Sequence, residues 1–129
     1  PHPAVYSALA RVRLRGGHRM AAMQALETCL QEARCSNGKC GHVEPGVDVY
    51  RTLATLYLED GSDRKRGLEL AEEAQRRVRA PAWEDAYLLA LTARERGDST
   101  YPMLVDRLRE ATPEGDPRRE RVVKLLPGA

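Results

Sequence analysis

The stretch Tyr50-Arg51-Thr52-Leu53-Ala54-Thr55-Leu56-Tyr57 sets Tyr50, Leu53, Ala54 and Tyr57 at i, i+3, i+4 and i+7. That is the spacing of one face of a helix. It sits in a segment, 47–59, that stops at Asp60-Gly61. After Asp63 a second periodic segment follows through Leu68, Leu70, Ala71, Ala74 and Val78. The Asp63 carboxylate is placed to accept from the free N–H groups at that helix start. Glu72 and Glu73 stand four residues ahead of Arg76 and Arg77, the favourable order for pairs on an exposed face. Gly67 is expected to weaken the first turns, because glycine loses more backbone freedom than alanine in a helix. The unit is a helix, a glycine turn and a second helix.

The same punctuation divides the rest of the chain. Residues 3–14 carry Val5, Ala8, Leu9 and Val12 at helical spacing and stop at Gly16-Gly17. Residues 19–34 put Met20, Met23, Leu26, Cys29 and Leu30 on one stripe. An irregular insertion, 35–46, interrupts the pattern. Beyond Ala80-Pro81 a fifth helix is predicted over 81–96, closed by Gly97, and a sixth from Pro102 to about Thr112, since proline suits a first helical turn. A last segment, 116–126, is basic on one side and apolar on the other. It reads as a cap, with Val122, Val123, Leu125 and Leu126 inward and Arg118, Arg119, Arg121 and Lys124 in water.

Composition agrees with an all-α chain of about seven helices in one domain. Of 129 residues, 42% are apolar; Ala (17) and Leu (16) dominate, with no Ile or Phe. Helix formers abound and strand formers are scarce, which excludes a doubly wound nucleotide fold or a β-barrel. No apolar run approaches the ~20 residues of a membrane span, so no direct membrane insertion is expected. The net charge is only +2, and charges of both signs alternate. Glu120 interrupts the basic run at 118–124, which argues against a nucleic-acid arm. The opening Pro1-His2-Pro3 lacks a Met, so the chain is expected to be a piece of something longer.

Three of the segments share an internal pattern: Tyr6-x-x-Leu9-Ala10, Tyr50-x-x-Leu53-Ala54 and Ala86-x-x-Leu89-Ala90. Three residues further on stand Arg13, Tyr57 and Ala93, and the repeat starts are 44 and 36 residues apart. Such periods mark stacked helix pairs, each covering its neighbour's apolar face. The pattern resembles the tetratricopeptide repeat (TPR). Repeat 2, about 47–79, matches best. Repeat 3, about 81–112, keeps Leu89, Ala90, Leu104, Leu108 and Ala111 but has Ala86 and Ala93 where the aromatics belong. Repeat 1, about 3–34, has Tyr6 but Arg13. The resemblance implies a right-handed α-solenoid of antiparallel helix pairs, closed by the segment at 116–126.

It also implies a protein–protein interaction or scaffolding module whose first helices line a concave groove. Carried onto this chain, the groove would hold Ser7, Arg11, Asp48, Arg51, Thr55, Leu58, Glu84, Tyr87, Leu91 and Arg94. Arg11, Arg51 and Arg94 would be its cationic points, able to grip carboxylates through paired hydrogen bonds. The TPR subclass that clamps a C-terminal carboxylate uses Asn and Lys, which this groove lacks. The expected partner is another protein or peptide, with self-association through the array's ends as a further mode.

Cys29, Cys35, Cys40 and His42 lie within fourteen residues. Three readings stand side by side: a Cys35–Cys40 disulfide, which would imply an extracytoplasmic compartment; a four-ligand metal site; or three plain thiols, with Cys29 on the apolar stripe. The first two offer an alternative function, a metal- or redox-responsive regulatory domain. No enzyme activity and no cofactor are expected. His2, His18 and His42 have no nucleophile-and-carboxylate context, and Arg15-Gly16-Gly17 lacks a phosphate-loop lysine. Trp83 is expected to pack against the preceding helix.

Overall fold

The structure, a computed structural model, describes residues 3–33 and 45–126, and the side chains of 5–32 and 45–126. These residues are all-helical, with α1 (Pro3–Arg15), α2 (Arg19–Ala33), α3 (Val47–Asp60), α4 (Arg64–Arg77), α5 (Trp83–Arg96), α6 (Tyr101–Glu110) and α7 (Arg119–Val123). The chain forms two compact units, Pro1–Arg77 and Val78–Ala129.

In the first unit α1 packs on α2, α2 on α3 and α3 on α4. Of the predicted stripe of α2, Met23, Leu26, Cys29 and Leu30 are in the core, together with Val49, Leu53 and Leu58 of α3 and Leu70, Ala71 and Ala74 of α4, whereas Met20, in the first turn of α2, is 72% exposed. The start and stop signals act as read. Asp63 Oδ1 accepts from Arg66 N at 3.0 Å. Gly61 ends α3 at φ 68°, its N–H on the Tyr57 carbonyl at 2.9 Å, a conformation that side chains with a Cβ rarely adopt. Glu73 takes both Arg76 and Arg77, which hold its carboxyl below the usual carboxylate range.

Gly67 has a different role from the one its helix propensity suggests. A Cβ there would stand 2.9 Å from Leu58 Cγ and 3.2 Å from Tyr57 Cβ. Glycine is what allows α3 and α4 to approach this closely. Gly67→Ala gains up to ~1 kcal/mol of helix propensity but forces a steric shift costing ~1–3 kcal/mol. The expected net result is a loss of about 1 kcal/mol in chemical denaturation, and a gain in stability would contradict this packing.

Polar side chains tie the same helices together. Glu27 of α2 accepts from the Tyr57 hydroxyl at 3.1 Å and from Arg66 at 2.8 Å. Arg19 reaches Asp60 at 3.2 Å and the Leu56 carbonyl. Burial, with Glu27 alongside, pushes the Tyr57 hydroxyl up to about 12. An unfolded tyrosine titrates near ~10, so the fold favours the neutral phenol. This contribution is intact below pH ~10 and disappears as pH rises through about 12. Ultraviolet difference titration is expected to show a late tyrosine that Tyr57→Phe removes; titration of every tyrosine near ~10 would contradict it.

In the second unit α5 packs on α6 and α6 on α7. Tyr87, Leu88, Ala90, Leu91, Val105, Leu108, Val122 and Leu125 are buried. α5 begins at Trp83 rather than at Pro81, because Ala82 is extended and its N–H bonds the Asp85 carboxylate at 2.7 Å. Pro102 lies in the first turn of α6. The predicted cap of 116–126 is reduced to the short helix α7. Asp116 accepts from the Arg118 N–H at 2.8 Å, turning the chain before the helix, and three-residue turns follow it.

The basic residues of that segment are not simply in water. The guanidinium of Arg118 lies 4.7 Å from the Trp83 ring centroid, and that of Arg121 lies 4.3 Å from the Tyr87 ring. Arg119 donates to the carbonyls of Arg109 and Thr112. Val123 is exposed. Trp83 stacks on Tyr87 of its own helix, with centroids 5.1 Å apart, and its Nε1 donates to Thr112 Oγ1 at 2.7 Å. Within the second unit it therefore packs toward the segments that follow α5.

Candidate functional site

The positions assigned to the first-helix groove divide by burial. Arg11, Glu84 and Arg94 are exposed, and Ser7, Asp48 and Arg51 are half-buried. Ser7 donates to Asp48 at 2.9 Å, which holds α1 beside α3 within the first unit. Thr55, Leu58, Tyr87 and Leu91 are buried and do not present a binding surface. The reasons are local. Thr55 bonds back to the Arg51 carbonyl, Leu58 lies against Gly67, and Tyr87 is covered by Trp83 and Arg121.

The repeated Leu-Ala pair behaves unevenly. The alanines Ala10, Ala54 and Ala90 are all buried. Of the leucines, Leu53 is 0% exposed, whereas Leu9 is 37% and Leu89 43% exposed. Leu9 belongs to an exposed stripe on α1 with Val5 and Val12. Leu89 belongs to something more concave.

Between α5 and α6 runs a solvent-open groove of about 490 Å³. From α5 it takes Ala86 and Leu89, with Ala82 just before the helix and Trp83 at one end beside Arg118. From α6 it takes Leu104, Arg107, Leu108 and Ala111. The volume lies in the range of ligand-binding clefts, and the lining is mostly apolar with few polar groups, as such clefts are. The lining spans 83–89 on α5 and 104–111 along α6 and its C-cap, ~10 Å at 1.5 Å per residue.

The cause of the groove is readable at Ala86. The same register in the first unit holds Tyr6 and Tyr50, and both rings engage the helix that follows. Glu32 of α2 stands close enough to the Tyr6 hydroxyl to push its pKa up, and Arg77 of α4 lies 4.5 Å from the Tyr50 centroid. In the second unit a methyl group replaces the ring, and the volume between α5 and α6 is left open. In the sequence Ala86 is visible as a missing aromatic of the repeat, whereas the cleft beside it is not.

The rim is cationic. Arg118 is held by Asp116 through both oxygens, at 3.1 and 2.9 Å, and Glu84 adds to the field around it. Arg107 is exposed and has no ion-pair partner among the described residues. It is the groove's unneutralised charge.

Of the cysteine and histidine set, Cys35, Cys40 and His42 lie outside the described residues. Cys29 is buried as a free thiol, and burial, with Asp48 and Glu32 nearby, pushes its pKa up. A raised thiol is a poor nucleophile and a poor metal ligand. Among the described residues no group of three or more His, Cys, Asp or Glu could hold a metal ion, and no helix is long and apolar enough to cross a membrane. No family model, curated protein or solved structure matches the chain.

Proposed function

We propose that this chain is a protein–protein interaction module, a TPR-like solenoid of antiparallel helix pairs that binds a peptide or protein surface and catalyses nothing. The observation that carries this reading is the apolar groove between α5 and α6, where Leu89, a core residue of the repeat pattern, is 43% exposed. An open apolar cleft on a small helical unit is costly to keep in water unless something covers it. Helix grooves of this kind accept side chains from a partner helix.

The binding surface in this reading differs from the concave one implied by the repeat resemblance, since Leu58, Tyr87 and Leu91 are interior. Arg11, Asp48, Arg51, Glu84 and Arg94 are left outside the groove.

The test is selection of peptides from a random displayed library, followed by binding to Ala86→Tyr. That substitution restores the aromatic of the other repeats and fills the cleft. Peptides selected on the native chain are expected to lose binding to the variant, while its melting temperature stays the same or rises. Selected peptides that bind both proteins equally would overturn the groove as the site.

A further inference from the structure

Resting on that reading, we infer that the α5–α6 groove takes an acidic amphipathic helix, its leucine-like side chains over Ala86 and Leu89 and a carboxylate on Arg107. Three observations select this occupant. The first is shape. The groove follows two helices for about two turns, ~10 Å, so apolar side chains at i, i+4 and i+7 of a third helix would reach its length. No strand occurs among the described residues, so none of them offers a sheet edge on which an extended peptide could satisfy its backbone. A helix satisfies its own.

The second is charge. Arg118 is neutralised by Asp116, but Arg107 faces solvent without an ion-pair partner among the described residues, at the edge of an apolar floor. A carboxylate arriving there gains a paired, charge-assisted contact, and a lysine is repelled.

The third is the exclusion of a second copy. The obvious helix of this chain to fill the groove is α1, whose exposed Val5, Leu9 and Val12 have the i, i+4, i+7 spacing. Yet α1 carries Arg11, Arg13 and Arg15 and no acidic residue. Docking it would set like charges against Arg107.

The probes are two synthetic helix-forming peptides, identical in Leu at i, i+4 and i+7, one flanked by Glu and the other by Lys. Fluorescence anisotropy against the full chain is expected to show the Glu peptide binding about fivefold tighter at low salt, the range of one exposed ion pair. The preference should shrink as salt is raised. Arg107→Glu should reverse the order of the two peptides, Arg107→Lys should preserve it, and Ala86→Tyr should abolish both. Equal binding of the two peptides, indifferent to Arg107→Glu, would overturn the acidic partner while leaving the groove as the site. Binding untouched by Ala86→Tyr would remove the groove itself. Sedimentation of the native chain supplies the remaining outcome: a dimer that Ala86→Tyr dissolves would put a second copy in the groove and overturn the inference.

Discussion

Trp83→Ala is expected to lower stability by about 3 kcal/mol, the lower end of the range for such truncations because the ring is half-buried. The indole is the hub of the second unit. It stacks on Tyr87 at an interplanar angle of 11°, donates to Thr112 and lies beneath Arg118 and Arg121, whose guanidiniums are 4.7 and 5.2 Å from its centroid. Removing it takes away one face of each of these contacts at once. Thr112 keeps its bond to the Leu108 carbonyl, so its buried hydroxyl is not orphaned. Trp83→Phe keeps the stack but loses the N–H bond, and should cost about 1 kcal/mol. Denaturant unfolding followed by circular dichroism measures both. A loss under ~1 kcal/mol for the alanine variant would mean that the aromatic stack does not hold α5 to the segments after α6.

The second large effect is a contrast within one sequence motif. Leu53→Ala is expected to cost about 3 kcal/mol, because the side chain is fully enclosed and its removal leaves a cavity. The equivalent substitutions Leu9→Ala and Leu89→Ala are expected to cost under ~1 kcal/mol each, since those leucines are 37% and 43% exposed. Three leucines at one register of a repeat would thus differ by a factor of three or more. Equal costs at the three positions would contradict the burial pattern on which the groove at Leu89 depends.

Much of the helical layout was legible because it depends on short-range chemistry. Gly61 and Gly97 end helices at positive φ, Asp63 caps α4, and Pro102 opens α6, each through a local backbone requirement. Four of the five residues of the α2 stripe, Met23, Leu26, Cys29 and Leu30, were legible from periodicity alone, while Met20 at its start is exposed. What escaped depends on what lies opposite a residue. Gly67 looked like a weak helix former, but its meaning comes from Leu58 on the facing helix. Leu58 and Tyr87 were assigned to a surface by register, although Gly67 and the Trp83–Arg121 pair enclose them.

The basic residues of 116–126 were read as solvated from their charge. Arg118 and Arg121 instead lay their planar groups over aromatic rings, a contact their sequence spacing cannot announce. The groove was half legible. Ala86 departs visibly from Tyr6 and Tyr50, but whether a missing ring leaves a cleft or lets helices close depends on how far α6 stands from α5.

Amide chemical-shift mapping of the chain with a peptide selected from a random library tests the central claim most directly. The account predicts shifts concentrated at Ala86, Leu89, Leu104, Arg107 and Leu108, and their disappearance in Ala86→Tyr. Shifts concentrated instead at Arg11, Asp48 and Arg51, with α5 and α6 unmoved, would contradict it and return the binding surface to the first helices.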